Sequence, residues 1–283
     1  ETRFVRESVA SVASNRQREL ILLGTGTSVG VPVLGCQCKV CTSSDPKLHR
    51  TRASALITTP AGRILIDTGP DLRQQFLREG ISHADAILMT HHHADHVMGL
   101  DDVRVFAHYR GDSPLPIYCD PEVEAVIRRA FSYAFDPNVY LHSKTAVPLI
   151  TFERIDRPSF QVLGETMIPI PLKHGPSDVL GYRIGDVAYC TDVNHIPEES
   201  WALLAGVRHL VIDALRMTPH PTHFGLHESL EAIDRIKPER AYLTHISCRL
   251  DPDEARSFLP SHVELGYDGL RVPIDVGIAA ADL

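Results

Sequence analysis

Four candidate metal ligands lie within six residues of one another. His91, His93, Asp95 and His96 form the pattern His-x-His-x-Asp-His. Four groups this close cannot all bind one ion without strain, but two imidazoles can reach one ion while the carboxylate and the third imidazole reach another. Imidazole and carboxylate are ligands of zinc, manganese and iron at hydrolytic sites. The pattern predicts a dinuclear centre in which two ions clamp a shared water and generate hydroxide near neutral pH.

The residues on either side of this pattern predict a strand and a helix. The apolar run 86–89 indicates a buried strand, and residues 97–100 indicate the first turn of a helix. A solvated histidine-rich loop or a purification tag is the alternative interpretation. Because the run is internal and lies between two regular elements, we favour a metal site.

Other candidate ligands also follow predicted strands. Asp67, His174, Asp192 and His245 each end or follow a short apolar run. Asp192 is a candidate bridging carboxylate, with a helix N-cap as the alternative. Asp67 can accept a hydrogen bond from a ligand histidine and so fix its tautomer, or it can serve as a turn or capping acid. Together with the first motif, these positions supply the ligands that a dinuclear site requires.

Three of the six cysteines form a second candidate site. Cys36, Cys38 and Cys41 have the spacing Cys-x-Cys-x-x-Cys. Three thiolates this close suit a tetrahedral structural zinc, which needs a fourth ligand from elsewhere. His49 and Cys248 are the candidates, and an idle thiol cluster is the alternative. Since the sequence shows no secretory signal, we expect a metal site rather than a disulfide framework.

Composition narrows the remaining classes of function. The 283 residues are 43% hydrophobic and 23% charged, which is ordinary for a soluble globular protein. No stretch approaches the roughly 20 apolar residues of a membrane span, and we expect a cytoplasmic protein. The net charge of −8 argues against broad nucleic-acid binding. A small anionic substrate stays possible, because two bound dications would reverse the local field.

The order of predicted elements favours an α/β fold. Two strand-rich halves suggest an αββα sandwich, in which two mixed β-sheets lie face to face with helices outside. Residues 1–19 are predicted to be a flexible N-terminal segment, and residues 20–283 a single domain. The aromatic, proline-containing segment 132–148 is predicted to be a loop or lid.

The motif at 91–96 resembles the signature of the metallo-β-lactamase superfamily, and the resemblance covers about residues 20–275. It implies a hydrolase domain with two divalent ions, zinc or manganese, and a specific set of ligands. The implied ligands are His91, His93 and His174 for one ion, Asp95, His96 and His245 for the other, and Asp192 shared between them.

Further motifs resemble the cyclic phosphodiesterase family of bacterial phosphonate degradation, the carbon–phosphorus lyase pathway. They are the cysteine cluster after a glycine-rich first loop and the segments 65–69, 243–247 and 266–269. In that family the three cysteines bind a structural zinc with a histidine three residues past the last metal-site histidine. Cys248 stands at that place here, so the resemblance implies a Cys₄ site and favours Cys248 over His49.

The same family carries a histidine before the penultimate helix that assists catalysis. His223 matches its place, and His220 and His227 are close enough to be alternatives. The resemblance implies hydrolysis of a small, cyclic or nucleotide phosphodiester by a metal-bridging hydroxide. The implied catalytic residues are Asp95, Asp192 and His223, with His223 donating a proton or hydrogen bond to the leaving oxygen.

Three alternatives stay open. One is another hydrolase of the same fold, either a thioesterase or a tRNA-processing nuclease, although the sequence shows no long basic insertion to grip RNA. The second is an iron oxidoreductase or quinone-cofactor biosynthesis protein on the same scaffold, and the third is a non-catalytic metal-binding module. We expect a small phosphodiester or nucleotide as partner, no membrane and no stable nucleic-acid complex, with a homodimer as an open alternative to a monomer.

Overall fold

The computed structural model describes residues 17–111, 113–136 and 146–277, and their strands form two seven-stranded sheets. In chain order the strands are β1 (Glu19–Gly24), β2 (Ser54–Thr59), β3 (Gly62–Ile66), β4 (Ala86–Leu88), β5 (Leu115–Cys119), β6 (Ile150–Arg154), β7 (Phe160–Val162), β8 (Glu165–His174), β9 (Ser177–Ile184), β10 (Val187–Cys190), β11 (His209–Asp213), β12 (Arg240–Thr244), β13 (Val263–Leu265) and β14 (Arg271–Pro273).

Both sheets are mixed, as predicted. The first has the order β14-β1-β2-β3-β4-β5-β6, with parallel pairing from β3 to β6 and antiparallel pairing elsewhere. The second has the order β13-β12-β11-β10-β9-β8-β7, parallel from β10 to β13 and antiparallel from β7 to β10.

Side chains alternate between two cores along the strands, as the two-residue period of a strand requires. In β1, Leu20 and Leu22 belong to the core between the sheets, which the second sheet completes with Tyr182 and other side chains. Ile21 and Leu23 face the opposite core, on the outer side of the first sheet. A strand buried on both faces fits a sheet with a second sheet on one side and helices on the other. The predicted αββα sandwich is confirmed.

The helices cover the outer faces. They are α1 (Leu72–Glu79), α2 (Ala94–Val97), α3 (Ala107–Arg110), α4 (Pro121–Ala130), α5 (Glu198–Leu204), α6 (Leu226–Ile236) and α7 (Pro252–Arg256), with 3₁₀ helices at Pro46–Leu48, Leu100–Phe106 and Ser132–Phe135. Apolar residues of α1 and α4 pack on the first sheet, and those of α5 and α6 pack on the second.

The inward face of α1 includes a polar residue. Leu72 and Phe76 are buried, whereas Leu77 is 64% exposed. Gln75 takes a buried place on the same face, because residues three and four apart lie on one side of a helix. Its amide nitrogen donates to the Thr51 hydroxyl at 3.0 Å and to the Arg52 carbonyl oxygen at 2.9 Å, which satisfies the donor side of the buried amide. Hydrophobic periodicity does not predict a buried polar residue of this kind.

The strand directions bring the candidate ligands to one edge of the sandwich. β3 and β4 run parallel, so the loops that carry Asp67 and His91 leave from the same edge of the first sheet. In the second sheet β10, β11 and β12 are parallel, and β8 runs in their direction because β9 is antiparallel to both β8 and β10. Residues that follow these strands therefore meet at a common edge.

Parts of two predicted segments lie outside the described residues. These parts are residues 1–16 of the predicted N-terminal segment 1–19 and residues 137–145 of the predicted lid 132–148. Within the described chain, Glu19 already pairs in β1, one residue before the predicted domain boundary. No helix of the described residues is long and apolar enough to cross a membrane.

Candidate metal centre

The first three predicted ligands come together at the end of β4. His91, His93 and His174 place ring nitrogens within 4.8 Å of one another. The Nδ1 atom of His174 lies 2.6 Å from the Thr222 carbonyl oxygen, which can only accept, so Nδ1 donates and Nε2 keeps a free lone pair. Burial lowers the pKa of all three histidines. They are therefore neutral imidazoles, the form that binds a metal ion.

The next four predicted ligands form a second group beside the first. Asp95, His96, Asp192 and His245 also place their nitrogen and oxygen atoms within 4.8 Å of one another. The Nε2 atoms of His96 and His245 lie 3.3 Å and 3.2 Å from different oxygens of Asp192. Asp192 also belongs to a close group with His174. Its carboxylate thus lies between the two groups, where a shared ligand would stand, and it does not cap α5, which begins after Pro197.

Unpartnered buried nitrogens show that these residues fit metal ions. The Nε2 atoms of His91, His96 and His245 are buried and make no hydrogen bond of suitable geometry among the described residues, although those of His96 and His245 lie close to Asp192. A buried polar atom without a partner carries a desolvation cost of about 1–3 kcal/mol. Coordination of a cation by the lone pair would remove that cost. The histidine and aspartate donors match the set that zinc, manganese and iron accept.

The second group is strongly coupled electrostatically. Burial alone would lower the pKa of His96 and His245, but Asp192 together with Asp67 and Asp95 outweighs it. The pKa of His245 rises to about 9, and that of His96 rises well above its usual value. Burial would raise the pKa of Asp192, yet the two histidines hold it well below its usual range. Without metal, protons on the imidazoles balance the carboxylates, and a dication would replace those protons.

Asp67 is placed to orient a ligand histidine. Its fully buried carboxylate accepts from His96 Nδ1 at 2.7 Å and from the backbone nitrogen and hydroxyl of Thr90, both at 2.8 Å. A proton held on Nδ1 leaves Nε2 as the metal-binding atom of His96. The hydrogen bonds to Thr90 also attach β4 to the loop after β3. Asp67 therefore occupies the position that the sequence analysis gave it.

His223 is the predicted catalytic histidine that lies at the centre. Its ring stacks on His245 with centroids 4.5 Å apart and contacts His174 at the same distance. His220 lies further out, 5.3 Å from His223, and His227 is exposed and contacts Phe258. The geometry favours His223 over the two alternatives.

Asp213 is a site residue that the sequence analysis missed. Its Oδ2 atom lies 2.6 Å from His223 Nδ1 and accepts from the Val193 backbone nitrogen at 3.0 Å. Burial raises the pKa of Asp213 well above its usual value and lowers that of His223 to about 4. A protonated Asp213 donating to Nδ1 of a neutral His223 fits both shifts and leaves the ring proton on Nε2. The available signal was an aspartate ending the buried strand β11, the same pattern that marked Asp67.

The predicted cysteine site also assembles. Cys36, Cys38, Cys41 and Cys248 place their sulfur atoms within 4.8 Å of one another, and no disulfide joins them. The backbone nitrogen of Cys41 lowers the pKa of Cys38 to about 7, whereas burial raises that of Cys248 to about 12. His49 lies outside the cluster and contacts the Ser43 carbonyl oxygen at 2.8 Å. The four sulfur atoms fit a tetrahedral zinc ion.

A family comparison agrees with this architecture. Residues 62–246 match the family described as "Beta-lactamase superfamily domain". The chain belongs to the metallo-β-lactamase superfamily. The two mixed sheets of the described residues and the His-x-His-x-Asp-His loop at one edge agree with the assignment.

Individual relatives within the superfamily have diverse names. A diphosphatase from the PhnP family is 39% identical, with a TM-score of 0.85 over 93% of this chain and 100% of that one. The Octanoyltransferase of Porphyromonas gingivalis is 42% identical over 90% of this chain. This chain spans 51% of that protein. The Ribonuclease Z of Mycolicibacterium gilvum is 25% identical over 93% of this chain and 98% of that protein. The resemblance to the phosphonate-degradation (PhnP-like) hydrolases that the motifs suggested is confirmed at the level of the family.

Replacement of Asp67 by Asn tests the orientation of His96. The amide cannot reproduce all three acceptor contacts, so we expect metal affinity to fall by roughly 10- to 100-fold, as for other partners of ligand histidines. Metal content after dialysis against a weak chelator measures the change. Asp101→Asn is the control, since Asp101 accepts from the Tyr133 hydroxyl and belongs to neither ligand group. Equal metal retention in the two variants would contradict the role of Asp67.

Replacement of Cys248 tests the cysteine site. We expect Cys248→Ser to lose one zinc ion per chain, because serine is a poor zinc ligand. Cys248→His restores the Cys₃His set of the resembling family and should retain that zinc. Elemental analysis of the purified proteins gives the count. Full zinc content in the serine variant would show that Cys248 is not a ligand.

Proposed function

We propose that the chain is a metal-dependent hydrolase that cleaves small phosphodiesters. The observation that carries this proposal is the convergence of seven imidazole and carboxylate side chains on one edge, with Nε2 atoms of three histidines unpartnered. The proposed ligands are His91, His93 and His174 for one ion, Asp95, His96 and His245 for the other, and Asp192 between them. Bound divalent ions would activate water near neutral pH and offset negative charge on phosphoryl oxygens.

The protein's own contribution is to fix the ligands before substrate arrives. Asp67 holds the His96 ring, and the Thr222 carbonyl oxygen holds the His174 ring, each through Nδ1. The carbonyl of Thr222 lies on the loop that also carries His223. Because His223 Nδ1 contacts Asp213, Nε2 is the ring nitrogen left to meet a substrate at the ligand groups. Preorganised polar groups of this kind supply much of the transition-state stabilisation in such sites.

His223 and Asp213 provide the proton for the leaving group. The ring proton on His223 Nε2 can hydrogen-bond or move to the departing oxygen as the bond to phosphorus breaks. The proton between Asp213 Oδ2 and His223 Nδ1 can then shift onto the ring, which keeps the imidazole neutral. Burial of both groups favours this neutral pair over an ion pair. Asp213 thus orients His223 and returns a proton to its ring without contacting substrate.

Diphosphate hydrolysis is the second candidate function. The 39% identical relative that covers most of this chain is described as a diphosphatase. A phosphoanhydride and a phosphodiester both require attack on a charged phosphorus and departure of an oxygen, so the same side chains serve either substrate. The structure of the leaving group is the difference that an assay must resolve.

A substrate panel tests the proposal. The protein, with its metals counted and Mn²⁺ or Zn²⁺ supplied, is assayed with bis(p-nitrophenyl) phosphate, 2′,3′-cyclic nucleotides, a nucleoside diphosphate ester and a thioester. We expect turnover of the phosphorus substrates and its loss in His93→Ala and Asp95→Ala. Absence of phosphorus turnover in fully loaded protein would contradict the proposal. Thioester turnover or oxygen consumption would then indicate one of the rival activities.

Replacement of His223 by Ala tests the proton donor. We expect kcat to fall by about 10²- to 10⁴-fold, the usual contribution of a general acid, with metal content unchanged. The loss should be smaller for p-nitrophenolate, which leaves without a proton, than for an alkoxide leaving group. His227→Ala is the control, because His227 lies on α6, four residues after His223, and its side chain is exposed. Equal rates for the two variants would remove His223 from the mechanism.

A further inference from the structure

We propose that Asp268 is a positioning residue for the metal centre, which acts by holding the glycine-rich loop against the ligand His245. The proposal rests on the proposed role of His245 as a metal ligand. It assigns a function to the motif at 266–269, which contributes no residue to the ligand groups described above. The connection runs through hydrogen bonds and backbone geometry.

The carboxylate of Asp268 accepts hydrogen bonds from three segments of the chain. It accepts from the backbone nitrogen and hydroxyl of Thr25 at 2.9 Å and 2.8 Å, and from the same two groups of Thr51 at 2.8 Å and 2.7 Å. Arg78 on α1 donates a fifth hydrogen bond at 3.1 Å. The side chain is 7% exposed. A buried carboxylate with these contacts fixes the relative positions of the loop after β1, the segment before β2 and the last turn of α1.

Arg50 fixes the direction of the Thr25 contact. Its Nη1 atom donates to the Thr25 hydroxyl at 2.8 Å and also to the Gly266 carbonyl oxygen. Because guanidinium nitrogens only donate, the Thr25 hydroxyl must accept from Arg50 and donate to Asp268. Burial lowers the pKa of Arg50 to about 10, which leaves it charged at neutral pH. The buried charges of Arg50 and Asp268 thus compensate each other on either side of Thr25.

Thr25 in turn holds the residue after His245. The Ile246 backbone nitrogen donates to the Thr25 carbonyl oxygen at 2.8 Å, and Thr27 donates back to the Ile246 carbonyl oxygen at 3.2 Å. On its other side the glycine-rich loop packs directly against the segment before β2, since a Cβ atom at Gly26 would lie 2.8 Å from the Arg50 carbonyl oxygen. Asp268 therefore controls the position of Ile246 through a single intermediate residue.

The conformation of His245 is what this arrangement maintains. Its φ of 56° lies in the left-handed region, which a histidine avoids unless its surroundings impose it. The Thr244 carbonyl oxygen accepts from Ala214 at 2.9 Å on one side, and Thr25 holds Ile246 on the other. Without the Thr25 contact the peptide after His245 can relax toward ordinary φ, which would move Nε2 away from Asp95 and Asp192. Metal binding at the second position would then weaken more than at the first.

Asp268→Asn is the test, with Asp186→Asn as its matched control. Asp186 is 1% exposed and accepts from the Asp275 backbone nitrogen at 2.8 Å. It is a suitable control because it lies in the turn between β9 and β10, whereas Asp192 follows the opposite end of β10. Both variants lose a buried acceptor, so both should lower the unfolding temperature. Mn²⁺ titration of metal-depleted protein, with the cysteine site loaded with zinc, measures the affinity of each ion of the centre separately.

We expect Asp268→Asn to weaken binding of one Mn²⁺ ion by at least about 10-fold, the scale seen for other groups that orient ligands, and to leave the other ion within about 2-fold. Thr25→Val, which keeps the carboxylate and removes one hydroxyl, should shift the same ion by a smaller factor. Asp186→Asn should bind both ions like the wild type. Unchanged affinities in both Asp268→Asn and Thr25→Val, or equal weakening in Asp186→Asn, would overturn the positioning role. Failure of the wild-type protein to bind two ions would instead overturn the proposed centre and this inference with it.

Discussion

Strained backbone at the strand ends is the constraint on which the centre depends. Asp67, Asp192 and His245 all have φ between 53° and 65°, although none of them is glycine. Such conformations cost on the order of 1–3 kcal/mol each and persist only where surrounding structure imposes them. All three residues follow buried strands and turn their side chains toward the same edge. The two packed sheets thus supply the rigidity that keeps these side chains converged.

The balance of charge at this edge depends on the same rigidity. Carboxylates of Asp95 and Asp192 lie within 3.8 Å of imidazole nitrogens of His96 or His245, in surroundings from which water is largely excluded. Close approach in such surroundings strengthens each interaction and raises the cost of any group left unpaired. Protons on the imidazoles of His96 and His245 balance these carboxylates, and bound cations would replace those protons.

Contacts between loops extend this arrangement beyond the candidate ligands. Cys248 lies three residues after His245, and its sulfur atom lies within 4.8 Å of those of Cys36, Cys38 and Cys41. Thr68 and Gly99 are linked by a backbone hydrogen bond of 2.8 Å, and a Cβ atom on Gly99 would lie 1.9 Å from the Gly69 carbonyl oxygen. The loops after β3 and β4 therefore pack with no space between their backbones. Glycines at 69 and 99 are required by this approach rather than by turn geometry.

The sequence predicted the part of the site that is local in the chain. The spacing of His91, His93, Asp95 and His96 alone indicated two ions, and strand-end positions led to His174 and the later ligands. Asp213 was missed because its partner His223 lies ten residues away on a different segment, and nothing in the sequence shows that they meet. The two strand-rich halves of the sequence predicted the order of layers in the fold.

Long-range features escaped the sequence analysis for the same reason. The Asp268 contacts with Thr25 and Thr51 join residues more than 200 positions apart. Hydrophobic periodicity within one element cannot predict such contacts. Gln75 was overlooked because burial of an amide depends on acceptors supplied by a distant loop. The choice of Cys248 over His49 needed a family resemblance, since spacing alone left both open.

A metal titration of diester hydrolysis tests the central claim most directly. Protein that keeps zinc at its cysteines but lacks other metal is given Mn²⁺ in steps, and bound ions and turnover of bis(p-nitrophenyl) phosphate are measured together. The account predicts that turnover follows occupancy of the second ion of the His/Asp centre and vanishes in Asp192→Asn. Full turnover with one ion bound, or none with two, would contradict it.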